Sequence, residues 1–221
     1  MKIFATSDIH GNTIIMQKIE TIIQQHQLDA VIICGDVLEN PHVSGFDEYV
    51  EYQNRNYLEF KEYVNSLNSQ VFYILGNDDW GDGDKTDKCY LSSQQGVLPF
   101  DFVSVTPFST NREVNINKQR YELSKIQVQL DTIIVAHDVP HGCLDQIHGG
   151  ERVGSTAIRE FLRDKHPPIW LCGHIHESFG AKRMYDTSVF NCACNPRISK
   201  LRGGIIDTKK DYRHTAIRIE V

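Results

Sequence analysis

Three features are missing from the sequence, and each absence excludes a class of protein. No apolar stretch is long enough to cross a bilayer, and the run after Met1-Lys2 ends at Asp8 without the pattern of a secretory signal. Basic residues are not in excess, since 23 Lys and Arg stand against 29 Asp and Glu, for a net charge of −6. That balance disfavours binding to a nucleic-acid backbone. We therefore expect a cytoplasmic protein without a membrane partner, and nucleic acid as a partner only in the form of a nucleotide.

Cysteine occurs without a redox or zinc-binding pattern. Cys192-Ala193-Cys194 is spaced too tightly for a CxxC motif, and no second pair accompanies it. Cys34 and Cys172 end apolar runs, where a free cysteine behaves as a small buried hydrophobe. We predict buried or incidental free thiols at all six positions, Cys34, Cys89, Cys143, Cys172, Cys192 and Cys194.

Apolar runs with strand character alternate with stretches of helical period, which predicts an α/β fold. The length of 221 residues is enough for one substantial core, so we expect a single domain over residues 1–221. The predicted strands are 2–6, 30–34, 71–75, 101–105, 132–136 and 168–172, followed by 188–192, 204–207 and 215–221. The last three are expected to pair antiparallel and to cover a second sheet. The predicted helices are 13–26, 46–67, 122–130 and 155–165, the last capped by Ser155 or Thr156.

A short polar cluster directly follows each of five predicted strands. The clusters are Asp8-Ile9-His10, Gly35-Asp36, Gly76-Asn77-Asp78, His137-Asp138 and Gly173-His174-Ile175-His176. Ligands of open α/β sheets bind outside the carboxyl ends of the strands, so strands of similar orientation would bring the clusters to one rim. Imidazoles, carboxylates and an amide oxygen suit Mn, Fe, Zn or Co better than Ca or Mg. The clusters therefore predict a metal site.

Backbone geometry supports this interpretation. In Asp8-Ile9-His10 and His174-Ile175-His176, an extended chain would turn the central isoleucine into the core and the two polar neighbours toward the site. Glycine at 35, 76 and 173 would let the backbone turn sharply and approach the ions.

The ordered series DxH, GD, GN, H and GHxH from Asp8 to His176 resembles the calcineurin-like metallophosphoesterase superfamily. The segments 137–142, 149–155 and 173–177 look most similar to its small class III phosphodiesterase and phosphatase branch. The resemblance implies a four-layer α/β/β/α sandwich, with two mixed β-sheets flanked by helices and metals at the strand ends.

The resemblance also implies a binuclear ligand set. Asp8, His10 and His176 would hold the first ion, and Asp36 would bridge both ions. The second ion would be held by Asn77, His137 and His174. The two ions would be Mn, or alternatively Fe, Zn, Co or Ni.

The implied activity is hydrolysis of a small phosphorylated substrate by a hydroxide that bridges the two ions. Phosphodiesters, including cyclic nucleotides, and small phosphomonoesters are the candidate substrates. The alternative is a weakly active or non-catalytic member of the fold that serves protein interaction. A nuclease is disfavoured by the acidic balance.

Asp78 departs from the family pattern, because most members carry histidine there as the proton donor to the leaving group. Asp78 could donate only if it stayed protonated, which nearby ions would oppose. We expect slow turnover, or turnover limited to leaving groups that need little protonation.

Other residues are candidates for the missing donor or for contact with the substrate. Asp79, His141 and His42 are possible replacements for the donor. For binding of the phosphate we expect Asn77, His141 and Arg152, the last because a guanidinium can bind it through two hydrogen bonds. The aromatic stretch 46–63 would be the surface of a homodimer, if one forms.

Overall fold

The computed structural model describes residues 1–81, 90–91, 102–105, 116–208 and 216–221. These ranges contain four α-helices, α1 (Thr13–His26), α2 (Phe46–Ser66), α3 (Ile116–Ser124) and α4 (Thr156–Lys165). They also contain the strands β1 (Lys2–Thr6), β2 (Ala30–Cys34), β3 (Gln70–Ile74), β4 (Tyr90–Leu91), β5 (Phe102–Val105), β6 (Ile133–Ala136), β7 (Ile169–Cys172), β8 (Gly180–Met184), β9 (Thr187–Asn191), β10 (Arg202–Asp207) and β11 (Ala216–Glu220).

The strands form two separate β-sheets. The first has the order β11-β10-β1-β2-β3-β4, and the second has the order β5-β6-β7-β9-β8. Strands β1, β2 and β3 run parallel to one another, as do β5, β6, β7 and β9. Strands β4, β8, β10 and β11 pair antiparallel, so both sheets are mixed. The carboxyl ends of the parallel strands in each sheet therefore lie along one edge.

The central strands are buried on both faces, which explains their unbroken apolar sequences. Along β1 and β2, Phe4, Val31 and Ile33 pack in the cluster that includes α1 and α2. Their neighbours Ile3 and Ile32 pack against the second sheet instead. This alternation follows the two-residue period of a strand.

Helices cover the outer face of each sheet. Helices α1 and α2 pack on the first sheet, and α4, with Leu123 of α3, packs on the second. A third apolar cluster lies between the sheets. The fold is thus the four-layer sandwich, two mixed sheets flanked by helices, that the resemblance implied.

Helix boundaries follow local capping chemistry. The Asn12 side chain accepts a hydrogen bond from the Ile15 amide before α1, and Ser155 does the same for Ile158 before α4. The predicted Ser155 cap is confirmed. Both helices end at a left-handed residue, Gln27 and His166 respectively.

Three predictions about secondary structure were wrong. The helix expected at 122–130 is α3, which ends at Ser124; Ile126 and Val128 then pack on the second apolar cluster outside the helix. Strand β8 was missed, because most of it is exposed and its sequence GAKRM shows no apolar alternation. The carboxyl-terminal strands do not all cover a second sheet: β10 and β11 extend the first sheet beside β1.

The aromatic helix and the thiols mostly belong to the core. Tyr57 and Phe60 of α2 are 5% and 3% exposed, whereas Phe46 at its start is 59% exposed. Five cysteines are free and buried, Cys34, Cys143, Cys172, Cys192 and Cys194, and Cys89 lies outside the described residues. Of the helices in the described ranges, none is both long and apolar enough to cross a membrane.

The packing of α4 predicts a large difference between two leucine substitutions. Leu162 is fully buried against the second sheet, while Leu58 on α2 is 56% exposed. Leu162→Ala should lower the free energy of unfolding by about 2–5 kcal/mol, whereas Leu58→Ala should change it by about 0.5 kcal/mol or less. Urea unfolding of both variants checks this, and equal losses would contradict the assignment of the α4 face.

Candidate metal centre

The five polar clusters of the sequence meet where the two sheets approach each other. In the first sheet, the Asp8 amide donates to the Gly35 carbonyl over 2.9 Å, which joins the ends of β1 and β2. In the second sheet, the Gly173 amide donates to the His137 carbonyl over 3.0 Å, which joins the ends of β7 and β6. The Asp8 carboxylate then crosses to the second sheet and accepts from the His174 amide over 2.9 Å. These bonds fix the clusters relative to one another.

Six of the predicted ligands form two groups in which the potential donor atoms lie within 4.8 Å of one another. The groups are Asp8, His10 and His176, and Asp36, His137 and His174. In the first group, His176 Nε2 lies 3.0 Å from Asp8 Oδ1.

Asp36 contacts both groups. Its Oδ2 lies 3.3 Å from His137 Nε2 and 3.7 Å from His10 Nε2. Its other oxygen, Oδ1, accepts the Asp78 backbone amide over 2.9 Å. The carboxylate is thereby oriented between the two groups, the position expected of a bridging ligand.

The predicted extended geometry of the ligand motifs was wrong. Asp8, His10, Asp36 and His174 all adopt left-handed backbone conformations, with φ between 48° and 69°. His176 begins a short 3₁₀ helix. The alternation of core and site side chains survives, because Ile9 and Ile175 are 0% and 5% exposed. Tight turns rather than extended chain direct the ligands.

Two glycines are required by space rather than by backbone conformation. A Cβ on Gly173 would lie 2.0 Å from Ser7 Oγ and 2.3 Å from Asp8 Oδ2. A Cβ on Gly76 would lie 2.0 Å from Asp36 Oδ1. Of the three glycines at 35, 76 and 173, Gly35 alone has a positive φ, 99°, which is the backbone conformation that favours glycine.

The surroundings of the buried His137 ring require a positive charge. Its Nδ1 lies 2.8 Å from the Cys34 carbonyl oxygen, so Nδ1 carries a hydrogen and donates it. Its Nε2 faces two oxygens, Asn77 Oδ1 at 2.8 Å and Asp36 Oδ2 at 3.3 Å. If Nε2 carried no hydrogen, its lone pair would repel both oxygens. Either a proton on Nε2 or a metal ion bound to Nε2 must therefore face them.

The pKa shifts around the site follow from the same arrangement. Burial lowers the pKa of His137, but Asp36, Asp8 and the Cys34 carbonyl together raise it to about 10. Burial raises the pKa of Asp36, but His137 and His10 outweigh it, so the pKa lies below its usual range. Burial and then His137 lower the pKa of His174, which favours the neutral imidazole that binds metals. The site therefore holds ionised carboxylates and one strongly basic ring.

The donor atoms fit divalent ions. Imidazole nitrogen and carboxylate oxygen bind Zn at about 2.0–2.2 Å, so adjacent donors on one such ion are about 3 Å apart. The contacts of 3.0 Å between His176 and Asp8 and 3.3 Å between His137 and Asp36 match this spacing. The Cys34 carbonyl orients the His137 ring as an outer-shell partner of a metal ligand does.

Asp79 has a structural role that sequence reasoning missed. The sequence suggested a replacement proton donor, but Asp79 is fully buried. Its carboxylate accepts backbone amides of Val37, Leu38 and Gly76 at 3.1, 2.8 and 2.6 Å. Asp79 therefore holds together the loops that carry Asp36 and Asn77. The other acidic residues of that loop, Asp82, Asp84 and Asp87, lie outside the described residues.

Asp78 lies beside the proposed ligands. Its Oδ1 accepts the side-chain amide of Asn77 over 2.7 Å, which turns Asn77 Oδ1 toward His137. Its Oδ2 accepts the side-chain amide of Asn40 over 3.0 Å. Both carboxylate oxygens of Asp78 thus accept hydrogen bonds from side-chain amides.

His141 and Arg152, the other predicted substrate contacts, meet at a different carboxylate. Asp145 is fully buried and lies 2.7 Å from Arg152 Nη1 and 3.5 Å from His141 Nδ1. Within the described part of the chain, neither side chain forms a hydrogen bond or an ion pair with the seven proposed ligands. Their roles in substrate binding stay predictions. His42, the remaining candidate, is exposed.

The loop around Asp145 lies against the last ligand motif. The Gln146 amide and carbonyl both bond the Ser178 hydroxyl, at 3.0 and 2.7 Å. The buried Asn191 amide donates to the carbonyls of Leu144 and Ile175. This loop therefore forms a wall beside His174 and His176.

Comparisons with known proteins identify the family and the fold. The sequence profile of the calcineurin-like phosphoesterase family matches residues 1–178. No curated protein sequence matches the chain. The solved structures described next share 10–18% sequence identity with this chain, so their similarity shows the fold alone.

Three solved structures illustrate the shared fold. Protein TT1561 of Thermus thermophilus has 14% identity and a TM-score of 0.60, over 99% of this chain and 97% of that one. An archaeal phosphodiesterase has 18% identity and a TM-score of 0.53, over 100% of both chains. A dimetal phosphatase of Danio rerio has 10% identity and a TM-score of 0.55, over 93% of this chain and 91% of that one.

Replacing Asp79 tests its part in joining the loops. Asp79→Asn exchanges one acceptor oxygen for a donor group that faces backbone amides, and each orphaned donor costs about 1–3 kcal/mol. The matched control is Asp29→Asn, because exposed Asp29 also accepts a backbone amide, that of Lys2. We expect urea unfolding to show a loss of stability for Asp79→Asn and a change of about 0.5 kcal/mol or less for Asp29→Asn. Equal stability of the two variants would refute the role of Asp79.

Proposed function

Since the chain belongs to the calcineurin-like phosphoesterase family, we propose that it is a hydrolase of phosphoric esters that depends on two metal ions. The observation that carries this proposal is the buried ring of His137, whose Nε2 faces oxygens of Asn77 and Asp36 while Nδ1 donates to a carbonyl. That arrangement suits a metal ion as the partner of Nε2.

Seven side chains would hold the ions. Asp8, His10 and His176 would bind the first, Asn77, His137 and His174 the second, and Asp36 both. Nitrogen and oxygen donors without thiolate favour Mn, with Fe, Zn, Co or Ni as alternatives. When bound, such a pair of ions polarises the phosphate and supplies a water of lowered pKa.

The protein's own part in the reaction is to fix this set before substrate arrives. The Asp78 amide holds one oxygen of Asp36, and the Cys34 carbonyl holds the tautomer of His137. His174 stays neutral because its pKa is lowered. Rigid ligands reduce the reorganisation needed when charge develops on the phosphate oxygens.

We propose a phosphodiester, including cyclic nucleotides, or a small phosphomonoester as the substrate. The named activities of two proteins with this fold, an archaeal phosphodiesterase and a fish dimetal phosphatase, are in keeping with both classes. His141 and half-exposed Arg152, on the loop beside His176, would contact the phosphate. A cytoplasmic location and a homodimer through 46–63 are further parts of the proposal.

Hydrolysis of a chromogenic bis-aryl phosphodiester tests the activity. An aryl leaving group needs little protonation, which suits a site without the usual histidine. We expect no turnover after metal stripping and restored turnover after addition of Mn²⁺. Absence of turnover with every divalent ion tested would reject the enzyme and favour the alternative, a fold retained for protein interaction.

Loss of the bridging carboxylate tests the ligand set. Asp36→Ala should reduce the bound metal, measured by elemental analysis, from two ions per chain to one or fewer, because both ions lose a ligand. Asp186→Ala removes an exposed carboxylate paired with Arg183 and should retain the full metal content. Two ions per chain in Asp36→Ala would contradict the bridging role.

A further inference from the structure

The carboxylate of Asp78 lies beside the proposed ligands, but the proposed function gives it no direct role. A carboxylate oxygen of Asp78, a ring nitrogen of His10 and a carboxylate oxygen of Asp36 lie within 4.8 Å of one another. Donors bound to one ion at about 2.1 Å are about 3 Å apart when adjacent and about 4.2 Å apart when opposite. The His10–Asp36 separation of 3.7 Å lies within this range, and the 4.8 Å limit for Asp78 is slightly above it, so a small movement of the side chains would let the three share an ion.

The contacts of Asp78 orient it without using up its oxygens. Asn77 donates to Oδ1 over 2.7 Å and Asn40 donates to Oδ2 over 3.0 Å. Asn40 is itself held by the Tyr49 hydroxyl, which donates to Asn40 Oδ1 over 2.6 Å. A carboxylate has about four lone-pair sites, so each oxygen retains capacity for a cation.

The composition of the group indicates which ion Asp78 would bind. His10 belongs to the first group of ligands, and Asp36 lies between the two groups. Besides Asp36, only His10 among the proposed ligands shares a group with Asp78 in the described part of the chain, since Asp8, His176, His137 and His174 lie outside that group. The geometry therefore favours the first ion.

We propose that Asp78 is an eighth ligand of the metal centre and binds the ion held by Asp8, His10 and His176. This inference rests on the proposed function, because it takes the other seven ligands as given. Asp78 then replaces the family's histidine with a metal ligand rather than with another proton donor. An added oxygen ligand raises the coordination number, which suits Mn²⁺ better than Zn²⁺, an ion that prefers four ligands.

Metal binding by Asp78→Asn tests the proposal. Calorimetric titration of the metal-stripped protein with Mn²⁺ should show a dissociation constant at least about tenfold higher than that of the wild type. Asp138→Asn is the matched control, because Asp138 is a half-buried aspartate that follows the ligand His137 as Asp78 follows Asn77. Its own oxygen accepts the Val139 amide, and its affinity for Mn²⁺ should be unchanged.

A spectroscopic measurement separates ligation from a structural effect. Six-coordinate Co²⁺ absorbs visible light weakly, and loss of a ligand strengthens the absorption. The band of the Co²⁺-loaded protein should intensify in Asp78→Asn, and stay unchanged in Tyr49→Phe, which removes hydrogen bonds to Asn40 and to the Asp78 carbonyl but keeps the Asp78 carboxylate. A matching change in both variants would mean that the hydrogen bonds matter rather than ligation, and would overturn the proposal.

A second background separates Asp78 from Asn77, which its carboxylate also orients. His174→Ala weakens the second ion's site and leaves the first. Adding Asp78→Asn to this background should still raise the Mn²⁺ dissociation constant at least about tenfold. No further change would show that Asp78 acts through Asn77 alone, and the proposal would be wrong.

Different results would reject the proposed function and the role of Asp78. A wild-type chain that binds no metal would reject the proposed function and the role of Asp78 together. A wild-type chain that binds two ions, with the same affinity and Co²⁺ spectrum in Asp78→Asn, would reject the role of Asp78 alone.

Discussion

The imidazole of His137 joins the two sheets where their parallel strands end, and the rest of the site depends on that contact. The ring comes from the second sheet, donates to the carbonyl of Cys34 in the first and faces Asp36 and Asn77 beyond it. The approach is close enough that a Cβ on Gly35 would lie 2.6 Å from His137 Nδ1. The contact of this buried ring with Cys34 joins the two sheets at this point and sets the tautomer of the ring, which is a proposed ligand. The two oxygens that face Nε2 require a positively charged partner there.

Much of the fold and the membership of the site followed from the sequence, because strands buried on both faces leave long apolar runs and their ends leave polar clusters. The meeting of Asp8, Asp36 and His137 was predicted in this way, whereas the four layers were implied by the resemblance to the calcineurin-like family. Exposed β8 was not, since a strand without a buried face has no apolar period. The fate of the terminal strands depended on which sheet offered an open edge, and local sequence does not encode that choice.

The roles of acidic residues were the hardest to predict. Asp79 looked like a replacement for the proton donor, yet it is buried and three backbone amides converge on it. Asp78 looked like a substitute acid, yet two amide groups hold it as an acceptor. The partners of Asp79 are backbone amides, and Asn40 lies far from Asp78 in the sequence, so residue type and spacing carry no signal of these contacts. The carboxylates divide into those proposed to bind ions and those that organise the loops.

The left-handed backbone at Asp8, His10, Asp36 and His174 has an energetic cost. A residue with a side chain in this conformation costs roughly 1–2 kcal/mol, and glycine would relieve most of that cost. Binding of a ligand to the native state alone adds stability that grows with the logarithm of the ligand concentration, so bound ions would offset the penalty. Glycine at these positions would relieve the backbone strain, but it would also remove the Asp8 and Asp36 carboxylates that accept the backbone amides of His174 and Asp78. The strained conformation therefore comes together with the hydrogen bonds that join the loops of the site.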